Sequence, residues 1–97
     1  RKGGDTTPQS LHCVLSGKVQ MVGFRTWAQD HARSLGLTGW VRNLHDGRVE
    51  ILAQGDPPKL EDFKKRIVQG PSLGRVDNVE CDWIDYDKTF SAFELRR

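Results

Sequence analysis

Long hydrophobic runs are missing from this chain of 97 residues: none approaches the roughly 18 to 20 apolar residues that cross a bilayer, and the N-terminus has no apolar stretch of the secretory kind. No membrane partner is expected, and the protein reads as cytoplasmic. Cysteine is nearly absent. Cys13 and Cys81 lie far apart and form no CxxC pair, so a metal or redox motif is not expected, and cytosolic redox conditions favour two buried free thiols over a bridge. His12, His31 and His45 do not have the spacing of a zinc-binding helix, so no metal and no cofactor is expected. Charge of one sign is lacking too. The 15 Lys and Arg are intermixed with 13 Asp and Glu for a net charge of +2, so no whole-molecule field draws in nucleic acid, and a monomer is expected. Internal repeats and low-complexity core segments are also missing.

What is present suffices for one domain with one core. Residues 1–10 carry Gly3, Gly4, two threonines and Pro8 but no large apolar side chain, so they are expected to form a mobile arm ahead of a folded domain over 11–97. Leu11 to Ser16 is a short apolar run, consistent with a buried strand. From Phe24 the period changes: Phe24, Trp27, Ala28, His31, Ala32 and Leu35 fall near one helical stripe that Gly36 stops. Thr26 and Gln29 have capping-box spacing, which would start the helix at Thr26.

Thr38 to Leu44 and Arg48 to Gln54 read as strands joined at Asp46-Gly47, a hairpin signal in which both turn positions want positive φ. Val49, Ile51 and Ala53 alternate with Glu50, Leu52 and Gln54, giving one apolar face. Asp56 and Pro57 open a second helix with Leu60, Phe63 and Ile67 inward, and Gly70-Pro71 closes it. Arg75 to Asp85 alternates again, and Phe90 to Leu95 supplies a last short strand. This order predicts an α+β two-layer sandwich of the ferredoxin-like plan, with two helices packed on one face of an antiparallel sheet of four to five strands.

Chemistry concentrates where the first strand meets the first helix. In Gly17 to Arg25 two glycines, Gly17 and Gly23, let the backbone turn and aim amides inward, the helix presents its positive end, and Arg25 adds a planar fork of donors. The stretch lacks the Gly-Lys-Ser/Thr ending of a nucleotide-binding loop. Taken alone it reads equally as an anion cradle or as an ordinary strand-to-helix turn. Asn43, just before the hairpin, reads locally as turn chemistry. Trp27 and Trp40 read as core, His31 as a semi-buried packing residue, His45 as exposed, and Lys64, Lys65 and Arg66 as the wet face of the second helix.

The run Leu15 to Arg25, Leu-Ser-Gly-Lys-Val-Gln-Met-Val-Gly-Phe-Arg, resembles the first signature of the acylphosphatases, small enzymes that hydrolyse carboxyl-phosphate anhydrides. Gly39-Trp40-Val41-Arg42-Asn43, followed by Gly47, Val49 and Gly55, resembles the second. The likeness extends from about Leu11 to Leu95. It implies that an acyl phosphate is the substrate, with inorganic phosphate as product or inhibitor. It assigns the phosphate to Arg25 and to the loop backbone of Val19, Gln20, Met21, Val22, Gly23 and Phe24, and the water to Asn43. It also favours a helix start near Phe24. Met21 departs from the pattern, which usually has Gly there. A methionine is expected either to be strained at positive φ or to have relaxed away from it, and in both cases to obstruct the cradle. Two alternatives follow: a catalytically weakened anion-binding module, and an RNA-binding ferredoxin-like domain, although the aromatic-rich strand motif of the latter is missing.

Overall fold

The alternating and helical stripes become seven elements: strand β1 (Gln9–Lys18), helix α1 (Phe24–Ser34), strands β2 (Thr38–Asn43) and β3 (Val49–Gly55), helix α2 (Pro57–Gln69), and strands β4 (Arg75–Ile84) and β5 (Phe93–Arg96). The structure is a computed structural model that describes residues 9–86 and 88–96. Most of the expected arm, residues 1–8, lies outside the described residues. Gln9 and Ser10 already belong to β1, opposite Gly55 and Gln54 of β3.

The five strands form one sheet in the order β4-β1-β3-β2-β5. β1 pairs antiparallel with β3 and β4, and β2 antiparallel with β3, but β5 lies parallel to β2. The sheet is therefore mixed, where an antiparallel one was expected. The cause is topological: β4 and β5 follow each other in the chain yet occupy opposite edges, so their connection crosses the sheet.

Both helices cover the same face. Leu11, Cys13 and Leu15 of β1, Val41 of β2, and Val49, Ile51 and Ala53 of β3 pack under Phe24, Ala28 and Ala32 of α1 and Leu60, Phe63 and Ile67 of α2, each at most 1% exposed. The inward phases read from the sequence hold here, and truncating a ring such as Phe63 costs about 3–5 kcal/mol. α2 starts at Pro57 after an Asp56 N-cap and ends at Gly70, as the punctuation implied. No described helix is long and apolar enough to cross a membrane.

The far face of the sheet is less bare than its pattern suggested. Leu52 and Trp40, paired across β3 and β2, point away from the helices yet are 0% and 6% exposed. Gln54 Nε2 donates to the Lys88 carbonyl at 2.7 Å, fastening the β4–β5 connection across this face. The Arg42 and Arg96 guanidinium groups lie 5.2 and 5.4 Å from the Trp40 ring centroid. Trp40 is buried as expected, but on this side.

Cys13 and Cys81 are directly opposite in the β1–β4 register and form a disulfide, which reverses the expectation of free thiols. Sequence distance concealed them: their separation of 68 residues says nothing about facing positions on neighbouring strands. The hairpin also differs. Only Gly47 takes positive φ, at 95°, because the turn is longer than two residues, with Gly47 N donating to the Leu44 carbonyl and Leu44 N to that of Arg48. Asp46 instead turns its carboxylate onto the Arg48 backbone N–H at 3.1 Å.

Candidate active site

Between β1 and α1 the chain reverses over Val19 to Gly23, and two residues there take positive φ, Met21 at 63° and Gly23 at 77°. Gly23 is the N-cap of α1, with open space where a Cβ would stand, so its glycine serves the conformation. Gly17, expected in the turn, instead ends a register shift inside β1, where a Cβ would overlap the Arg75 carbonyl. The turn proper is correspondingly shorter.

The positive end of α1 is left open. No side chain caps it, its first turn holds no acidic residue, and the first helical bond runs from Trp27 N to the Gly23 carbonyl. The amides of Phe24, Arg25 and Thr26 thus have no acceptor within the helix. α1 begins at Phe24, as the family likeness implied, and the Thr26–Gln29 capping pair does not form. Gln29 Nε2 reaches instead to the Phe93 carbonyl at 3.0 Å and ties α1 to β5.

This end of α1 opens into a cavity of about 100 Å³ lined by Val19, Met21, Gly23, Phe24, Arg25, Thr26 and Asn43. Arg25 and Asn43, carried by different elements, are brought to one space because β2 lies beneath α1. Arg25 is held from behind: its Nη1 donates to the Arg96 carbonyl of β5 at 2.9 Å. A guanidinium has five N–H donors, so most remain for an anion. The Asn43 Oδ1 is buried with no hydrogen-bond partner among the described residues. A buried acceptor left empty is costly to the fold and ready for a donor.

Gln20 and Val22 do not line the cavity. The Gln20 Nε2 donates to the carbonyls of Leu44 at 2.7 Å and Arg48 at 2.9 Å, so the loop is fastened to the hairpin beside Asn43. Val22 packs, partly buried, against the core. Met21 is strained, in the αL region that costs a residue with Cβ about 1–2 kcal/mol. Its side chain is nevertheless wholly exposed, so it does not fill the cradle as expected. Thr26 is the lining residue that the sequence reading missed, because capping-box spacing assigned it another task. Its only signal was adjacency to Arg25 on an open first turn.

His45 is exposed and outside the lining, and Trp27 packs on Phe24 and His31 with ring centroids 5.5 and 4.4 Å away. Among the described residues no group of three or more His, Cys, Asp or Glu is placed to hold a metal ion. A larger depression, about 340 Å³, lies where β2 starts and β3 ends, but no Lys or Arg lines it. Arrayed amides, one guanidinium and one empty carboxamide oxygen suit a small oxyanion with an attacking water.

The acylphosphatase family model matches residues 11–95. An acylphosphatase of Pelotomaculum thermopropionicum is 45% identical over 84 residues, which cover 87% of this chain and 91% of the relative. Among solved structures, an acylphosphatase from Coxiella burnetii superposes with a TM-score of 0.88 at 36% identity, over 93% of this chain and 94% of that one. The Bacillus subtilis acylphosphatase gives the same score, 0.88, at 31% identity, over 92% and 99% of the two chains.

Proposed function

The chain belongs to the acylphosphatase family and hydrolyses acyl phosphates, and from that premise we propose that the amides of Val19 to Phe24 and the Arg25 guanidinium hold the phosphoryl group while Asn43 aims the water. The observation that carries this reading is the convergence of Arg25, the open α1 terminus and the unpartnered Asn43 Oδ1 on one small cavity.

A carboxylate is a good leaving group, so the barrier lies mostly in positioning the phosphoryl group and neutralising its oxygens. The water, donating a hydrogen bond to Asn43 Oδ1, attacks phosphorus as the bond from phosphorus to the acyl oxygen breaks. The carboxylate departs with that electron pair. The phosphate oxygens accept the water's proton, so no side chain titrates. Arginine and amides supply the positive charge a metal would otherwise bring.

The same reading takes the protein as a cytoplasmic monomer, with inorganic phosphate as product and inhibitor and no nucleic-acid partner. The far face of the sheet supports the last point, since Leu52 and Trp40 are buried there and Gln54 is bonded to the Lys88 carbonyl of the β4–β5 connection. The exposed Met21 side chain argues against a cradle spoiled by its own loop. The deciding experiment sets benzoyl phosphate beside p-nitrophenyl phosphate, an ordinary monoester. Hydrolysis of the first with little of the second is expected, and comparable rates on both would overturn the mechanism.

A further inference from the structure

The cavity has room for a phosphoryl group and its water and for little else: at about 100 Å³ it falls well below the ≈ 300–1,000 Å³ of pockets that enclose a whole small ligand. The acyl group must therefore lie across the mouth. Three lining residues are exposed there, Met21, Gly23 and Thr26, and Met21 alone offers an apolar side chain of any length. That side chain is 100% exposed on a backbone held at φ 63°. It contributes no burial to the fold, so stability does not explain a strained position occupied by a large apolar residue. A thioether on three rotatable bonds adapts readily to a second apolar surface.

We propose that Met21 is a specificity-determining residue that folds over the acyl portion of the substrate, so that acyl phosphates with an aromatic or extended alkyl group are preferred to acetyl phosphate. The inference rests on the phosphate-holding role of the cavity. It also reverses the expectation that a methionine here only obstructs: the side chain extends the site outward by covering what the cavity cannot enclose. Selectivity arises because contact with Met21 grows with acyl size, whereas the cradle treats every acyl phosphate alike.

The test compares kcat/KM for benzoyl phosphate with that for acetyl phosphate in the unsubstituted protein, Met21→Ala and Met21→Leu. Met21→Ala keeps a Cβ and the strained backbone while removing the reach, and Met21→Leu restores apolar reach without sulfur. The benzoyl to acetyl ratio is expected to fall about three- to tenfold in Met21→Ala, the scale of one or two methylenes leaving contact, and to recover in Met21→Leu. A ratio that stays constant across the three proteins, with both substrates hydrolysed, overturns the acyl contact and leaves the phosphate site intact. No hydrolysis of either substrate by the unsubstituted protein removes the premise and the inference together.

Discussion

The Gln20 side-chain amide donates to the Leu44 carbonyl at 2.7 Å, joining the loop after β1 to the residue that follows Asn43. With its second bond, to the Arg48 carbonyl at 2.9 Å, one carboxamide spans the base of the hairpin. The loop and Asn43, proposed to hold phosphate and to aim the water, are thereby parts of one unit.

Gln20→Ala should lower turnover of an acyl phosphate about tenfold and destabilise the fold by about 1–3 kcal/mol, the sum of two ordinary hydrogen bonds. Gln20→Glu should be worse, since a carboxylate both lacks the donor and sets negative charge against the two carbonyl oxygens. Steady-state kinetics and thermal melts of both variants check this. Full activity in Gln20→Ala would show that the hairpin holds Asn43 without the clamp.

Arg25 and Asn43 should differ in kinetic signature. If the guanidinium holds phosphoryl oxygens in ground and transition states alike, as proposed, Arg25→Ala will weaken phosphate inhibition by about 1.5–3 kcal/mol and reduce turnover. Asn43→Ala should retain phosphate affinity while losing about 10²- to 10³-fold in turnover, as when one preorganised polar group is removed. Equal losses of phosphate affinity would sink this division of labour.

The proposed mechanism uses no side chain as acid or base and no metal, so turnover should vary little between about pH 5.5 and 7.5 and should survive EDTA. Rate profiles with and without chelator test both statements. A steep limb near pH 6.5 that disappears in His45→Ala would identify a titrating group absent from the mechanism.

Acid stability should depend on Glu50. Burial raises its carboxyl pKa, but hydrogen bonds from His12 at 2.7 Å and Arg42 at 2.6 Å outweigh that and hold it below its ordinary 4.5. A depressed carboxylate stabilises the fold above its unfolded pKa, and the contribution is lost as pH falls through the lower folded value. Melting temperature should therefore drop less steeply from about pH 5 to pH 3 in Glu50→Gln than in the parent. Parallel slopes would mean that other carboxylates set the acid limit.

The Cys13–Cys81 bridge fastens edge strand β4 to β1. Reduction should cost about 2–4 kcal/mol, lowering the melting temperature by about 10–20 °C. Identical melts with and without reductant would show that the bridge adds nothing to this fold.

Local order determined the elements, whereas the proposed chemistry of the site came from the resemblance of two motifs. The stripe from Phe24 to Ala32 can bury one face only as a helix, and the alternation in Val49 to Ala53 only as a strand. These two signals are carried by neighbours a few residues apart, while the pairing of Arg25 with Asn43 rested on the family likeness. What the tertiary structure decided involves partners that sequence distance hides. Cys13 meets Cys81, Gln20 meets Leu44, and the Arg25 guanidinium rests on the Arg96 carbonyl because strand order and register bring them together. Gln29, free by sequence to cap its own helix, is taken by Phe93 of β5. That β5 lies parallel to β2 at the edge opposite β4, and that Leu52 and Trp40 are buried on the face away from the helices, are likewise outcomes of the assembled sheet. Met21 combined both kinds of information: its place in the motif marked it, but only the fold decided that its strained backbone would turn the side chain outward.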